Sequence, residues 1–438
     1  MSQITSYTTW NHQRWTTWQK IAFRCCFIFL SLEVMSENFL GNLFGNTTVV
    51  FRISEKIFVQ PCLWLNDHLF HFKYIPQVWT TFSGALHTIR DTVYLVFTLL
   101  VCMIWTLLDR KRTNYNKLLY WFSQFLIVAV SCIVFFYGVI KIFAVQMSSP
   151  TFASLHSTVG ELTPFELLWA TFGYGKPYQI FSGLFESGAA ILILFKRTRV
   201  VGLLIGAVLM MNILMINYTY QVGVFILSLY IFFIILFLLA PYTHQLLRFF
   251  FNKQMASLLL DEYIPPKTRT TKIIRGIAVA SIACCFFATT KSAFDLYRKI
   301  DGLARSRQYS MIKKYVVNND TMQLMEHDTI CWRYWNERIS NGKRYVTIST
   351  MNPAGNKTYA VERDSINHQL TLHPYNQRDS TALQFSYLVV DAFNWQLEGI
   401  VNQKNIRVEL QRINPDTTMT LLKTKRRIIT LDDYSDDE

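Results

Sequence analysis

The sequence predicts a polytopic α-helical membrane bundle of about seven transmembrane helices, followed by a C-terminal all-β antiparallel barrel or sandwich. Three observations carry this expectation. First, residues 200–240 are almost wholly apolar, broken only by Asn212, the polar knot Asn217-Tyr218-Thr219-Tyr220-Gln221, and Ser228 and Tyr230. Crossing a hydrocarbon core takes roughly 20 residues of helix, so this run holds two spans joined by a very short turn. Second, 51% hydrophobic and 15% aromatic residues accompany a mean hydropathy of only +0.20, which suits a bundle joined to a water-facing domain. Third, from Met311 onward the apolar period changes from helical to alternating.

The spans are read in order as Gln19 to Met35, Thr92 to Leu108, Leu118 to Gln146, Tyr178 to Phe195, Val200 to Asn217, Val222 to Ala240 and Ile273 to Thr289. Arg24 and Glu33 interrupt the first. No small-residue cleavage site follows it, so it reads as a retained anchor. The formal charge of +14 sits mainly in the segments 109–117, 196–199 and 241–275, which hold thirteen basic residues against Asp109, Asp261 and Glu262. These segments follow the second, fourth and sixth spans and so share one side, the signature of cytoplasmic loops rather than of a nucleic-acid-binding face. The N-terminus is therefore expected in the cytoplasm and the C-terminal domain on the far side of the membrane.

By composition the chain divides into N-terminal spans with a long extracytoplasmic loop (1–117), a membrane core (118–250), a cytoplasmic linker and seventh span (251–295), an extracytoplasmic β domain (296–430) and an acidic, disordered tail (431–438). The loop from Phe39 to Ile89, with Trp64 and Trp79, reads as amphipathic segments at the interface. The loop from Ser148 to Pro177 reads as a short helix or re-entrant piece over the outer mouth of the bundle. Strands are expected at 344–349, 381–387, 394–399 and 406–411, separated by turns such as Asn341-Gly342 and 352–355.

Polar groups within the spans need a reason. Lys141 ends the third span and Glu186 sits among the small residues Gly183, Ser187 and Gly188 of the fourth. Asn212 and Asn217 follow on the fifth, with Tyr218 beside them and Tyr137 one helical turn from Lys141. Lys141 and Glu186 are expected to pair inside the bundle at mid-depth or in the outer half, with the asparagines and Tyr137 satisfying the remaining donors and acceptors and Tyr218 lining the same pocket. Two readings remain: a network that fixes helix register, or a pocket open to the outer side that binds a quinone, a lipid headgroup or a small solute. His87, Arg90 and Asp91 read as interfacial anchors, Arg24 as snorkelling inward and Glu33 outward. The eight cysteines make no CxxC or metal spacing and read as packing residues, with a Cys62–Cys331 disulfide left open. Asn46-Thr47-Thr48 and Asn356-Lys357-Thr358 fit the glycosylation pattern. No metal site, Ser-His-Asp set, phosphate loop or carboxylate dyad is visible.

Residues Tyr137-Gly138 with Lys141, Glu161-Leu162-Thr163-Pro164, Leu168-Trp169, Gly183-Leu184-Phe185-Glu186, Arg197-Thr198 and Asn212 through Val222 resemble the DoxX-like family of integral membrane proteins, closest to its larger Bacteroidota-type members with an added span and a β-rich extracytoplasmic domain. The resemblance implies a four-helix membrane core over roughly Leu118 to Phe250, set in a bacterial cytoplasmic (inner) membrane with the N-terminus in the cytoplasm and the C-terminal domain in the periplasm. Some relatives serve a thiosulfate–quinone oxidoreductase, and others are linked to redox homeostasis. Where relatives carry Tyr-Asp-Val-Pro, this chain has Tyr220-Gln221-Val222-Gly223, replacing an acid by an amide. The outline also resembles the multi-span domain of vitamin K-dependent carboxylase relatives. The function expected is that of a non-catalytic accessory or assembly subunit of a cell-envelope membrane complex, in contact with the lipid bilayer and with protein partners. The alternative is a redox or small-molecule-binding protein with quinone as its ligand; no other cofactor is expected.

Overall fold

The computed structural model describes residues 14–36, 49–72, 84–150, 155, 159–252, 265, 268–305, 308–322, 331–340, 342–350, 355–375 and 382–414. The chain forms two compact units, Met1–Ser148 with Thr163–Asp295, and Ser149–Leu162 with Leu296–Glu438.

The first unit is a helical bundle of α1 (Thr17–Met35), α2 (Val49–Leu65), α3 (Gly84–Leu108), α4 (Asn116–Ile142), α5 (Pro164–Tyr174), α6 (Lys176–Leu194), α7 (Arg199–Thr219), α8 (Phe225–Leu239), α9 (Thr243–Asn252) and α10 (Arg269–Arg305), the last passing beyond the unit at Leu296. Six helical stretches among the described residues are long and apolar enough to cross a membrane: Ile89–Leu108, Asn116–Ile142, Lys176–Leu194, Arg199–Thr219, Phe225–Phe251 and Arg269–Asp301. They correspond to the second through seventh predicted spans, and the chain is a membrane protein. The first predicted span is α1, 19 residues and about 28 Å long, whose Phe23, Leu30 and Val34 join the main core despite Lys20, Arg24 and Glu33.

Several boundaries differ from the sequence reading. The third span ends at Ile142 rather than Gln146, because the chain turns through Ala144 at φ 51°. The seventh continues to Arg305 as a helix of 37 residues, about 55 Å. Its charges after Thr289 lower the hydropathy without breaking the helix. Within the predicted loop 39–89, α2 forms and ends in a π-helical turn over Asn66–Phe70. Phe58 and Cys62 of α2 pack against Val93 and Tyr94 of α3. Trp79, the triplet 46–48 and the acidic tail lie outside the described residues. The predicted piece over the mouth is α5, begun by a capping box in which Thr163 and Glu166 bond each other's main chain, with Pro164 in the first turn.

The second unit is a closed eight-stranded antiparallel barrel of β1 (Gln308–Val317), β3 (Trp332–Ser340), β4 (Lys343–Thr350), β5 (Lys357–Asp364), β6 (Gln369–Pro374), β7 (Leu383–Val389), β8 (Asn394–Val401) and β9 (Lys404–Ile413), with β9 pairing back to β1. A short β2 (Asp320–Thr321) folds back on β1. Closure decides between the expected barrel and sandwich, and it leaves no open edge among these strands. The four predicted strands fall in β4, β7, β8 and β9. Gly342 adopts φ +74° in the β3–β4 turn, and Asn402 and Gln403 at φ 51° and 64° make the two-residue β8–β9 turn. Alternation fills the interior: Ile406, Val408 and Leu410 point inward beside Trp335 and Phe385, while Arg407 pairs outside with Glu398.

Candidate functional site

The site begins with a close helix approach. A Cβ on Gly138 of α4 would lie 2.7 Å from the main-chain N of Ser187, and one on Gly183 of α6 would lie 2.8 Å from the main-chain N of Ile142. Glycine at both positions lets α4 and α6 meet backbone to backbone. Lys141 and Glu186 are thereby brought into an ion pair whose side chains are 9% and 0% exposed. Ser182 Oγ donates to the same Glu186 oxygen, Oε1, at 3.2 Å. The other oxygen, Oε2, is buried with no hydrogen-bond partner among the described residues.

The pair forms the polar floor of a small, partly open cleft with a volume of about 90 Å³. Tyr137 and Lys141 of α4, Glu186 of α6, and Asn212 and Asn217 of α7 all line it. Its walls are apolar and aromatic: Trp169 and Phe172 from α5, Met210 and Ile213 from α7, Leu227 and Ile231 from α8. Asn217 is buried and donates through Nδ2 to Ser228 Oγ at 3.2 Å. Asn212 is exposed and also lines the cleft.

Tyr218 does not belong to this group. Its side chain is 66% exposed and packs against Phe225 at 5.6 Å. One residue advances an α-helix by about 100°, so an inward Asn217 turns Tyr218 away.

Sequence reasoning missed Gln179, which is buried beside the cleft and bonds both main-chain groups of Met147 at 3.3 and 3.1 Å. Its signal was present: Gln179, Ser182 and Glu186 recur at helical spacing on one face of α6.

The other intramembrane charges also differ from expectation. Arg90 and Asp91 are not surface anchors. Their side chains are 11% and 17% exposed, Arg90 Nη2 lies 2.7 Å from Asp91 Oδ1, and the same nitrogen lies 3.8 Å from Glu33 Oε2. Glu33 does not snorkel, because its side chain is wholly buried against them. At the opposite end of α1, Arg24 is buried, donating to Thr106 Oγ1 at 2.8 Å, the Tyr115 hydroxyl at 2.7 Å and the Asp109 carbonyl at 3.1 Å. Fixed protein acceptors there replace the water that a snorkelling arginine would seek. Cys62 and Cys331 are free thiols, and the described residues hold no cluster suited to a metal ion.

Comparison with known proteins is sparse. No family model matches the chain, and no solved structure matches it. A curated relative, the uncharacterized protein YwoB of Bacillus subtilis (strain 168), is 34% identical over 90 residues, covering 20% of this chain. The match spans 56% of that relative's length.

Proposed function

We propose that the protein binds a quinone-like small molecule in the bacterial cytoplasmic membrane, using the cleft above the Lys141–Glu186 pair. The observation that carries this reading is the pairing of unused donors and acceptors beneath aromatic walls. Lysine has three N–H donors, of which one goes to Glu186 Oε1, and the buried Glu186 Oε2 has no hydrogen-bond partner among the described residues. A quinone carbonyl would accept from Lys141 and a quinol hydroxyl would donate to Glu186, while the ring lies against Trp169 and Phe172. An apolar tail would leave through the cleft mouth into lipid. The resemblance to DoxX-like proteins supports the same chemistry, and the basic loops support an N-terminus in the cytoplasm with the barrel in the periplasm.

A second reading, a non-catalytic accessory or assembly subunit of an envelope complex, draws on the barrel. Leu388, Val389, Val390 and Phe393 are between 54% and 62% exposed there, an apolar surface that a protein partner would cover.

Titrating a short-chain ubiquinone analogue into the full chain in nanodiscs tests the first reading through tryptophan fluorescence. Saturable quenching that is lost in Trp169→Phe and weakened in Lys141→Met supports it. Unsaturable quenching, equal in all three proteins, refutes it.

A further inference from the structure

A second buried polar centre lies where α1, α2, α3 and α8 meet, and among the described residues its charges do not balance. Glu33, in the last turn of α1, is 0% exposed, and neither of its oxygens receives a hydrogen bond at bonding geometry. Its nearest cation, Arg90 of α3, directs Nη2 and Nε to Asp91 Oδ1 at 2.7 and 3.2 Å, and stands 3.8 Å from Glu33. Two carboxylates therefore share one guanidinium. Among the described residues, the other titratable groups facing this centre are Tyr94 of α3, Cys62 of α2 and Tyr230 of α8. The α4 side chains clustered with Leu30 and Val34 of α1 are apolar. With both acids ionised, Glu33, Asp91 and Arg90 together would carry a net −1 out of water, at a helix C-terminus that itself repels anions.

We propose that this centre is a proton-binding site with Glu33 as the acceptor. One proton from water joins a Glu33 oxygen, the centre becomes neutral, and Arg90 stays on Asp91. When the proton returns to water, the bared carboxylate draws Arg90 across the 3.8 Å gap, so proton occupancy selects the partner of the guanidinium. A metal cation is a poor occupant, since hard cations gather about six or more oxygens and Arg90 would repel one. The proposal is independent of what the cleft binds.

Infrared spectra of the full chain in nanodiscs, recorded across a pH series in potassium buffer, test it. The expected result is a protonated-carboxyl C=O band that fades as pH rises and is absent from Glu33→Gln, whose neutral amide mimics the protonated acid. Should that variant not fold, Glu33→Asp serves, and the band must shift in frequency. A band removed by Asp91→Asn but kept in Glu33→Gln overturns the assignment, as does a spectrum with no band sensitive to Glu33. Loss of the band on adding sodium at fixed pH would make this a metal-cation site and equally overturn it.

Discussion

Replacing Lys141 by Met and Glu186 by Gln, singly and together, measures the interaction on which the cleft is built. Both side chains are almost fully withdrawn from solvent, at 9% and 0% exposure, so screening by water and salt is slight. At an effective dielectric near 20, two unit charges about 4 Å apart attract by about 4 kcal/mol. Removing one member of such a pair strands the other and costs about 3–5 kcal/mol. Removing both leaves Met and Gln of similar volume, with Ser182 still able to donate to the amide oxygen. The double variant should therefore lie within about 1–2 kcal/mol of the parent, giving a coupling of about 3 kcal/mol or more. Reversible unfolding in mixed micelles, followed by circular dichroism, supplies the four stabilities. Additivity of the single changes within about 0.5 kcal/mol would mean that the charges do not interact, and the account of the cleft floor would fail.

Further outcomes follow from the same geometry. Gly183→Ala sets a methyl against the main chain of α4, which cannot rotate away, and should cost about 1–3 kcal/mol in the same unfolding assay. Thr163→Ala removes the cap of α5 and should cost about 1 kcal/mol of local helix stability, seen as faster amide exchange over 164–174. In the barrel, the Asn394 side chain and the main-chain N–H groups of Phe393 and Asn394 hold the Asp391 carboxyl below the usual carboxylate range. A pKa lower folded than unfolded stabilises above the ordinary Asp value and is lost as pH falls, so the barrel's melting temperature should drop on acidification, and Asp391→Asn should flatten that limb. Tyr218→Phe, remote from the cleft lining, should leave quenching by the quinone analogue unchanged.

Depth was legible in the sequence; direction around each helix was not. Lys141, Glu186 and Asn217 stood out because a charge or amide within an apolar span needs a partner, and adjacent small residues marked where helices could touch. The barrel showed through alternation alone, because one face of each strand had to be buried. Arg90 and Glu33 were misread because they sit near helix ends, where snorkelling and burial have the same linear signature. Which occurs depends on whether a neighbouring helix covers the site, and α2, read as an amphipathic segment at the interface, provides part of that cover through Phe58 and Cys62. Tyr218 failed for a simpler reason: proximity in sequence to Asn217 placed it on another face.

Helix α8 joins these threads. It is apolar on nearly every side, and among its residues only Ser228 and Tyr230 carry polar side chains. Ser228 accepts from Asn217 on the cleft side, and Tyr230 faces Glu33 and Asp91 on the other. Two positions along a helix differ by about 200°, so both hydroxyls cannot serve one centre. Ser228 also donates to the Phe225 carbonyl of its own helix, so a turn of α8 would strand the Asn217 amide donor, which is costly in hydrocarbon, while Tyr230 is packed toward the acids on the other side. A turn of α8 that favoured one contact would strain the other. The cleft and the Glu33 centre, distinct in their residues, are thus held in register by the same fifteen-residue helix.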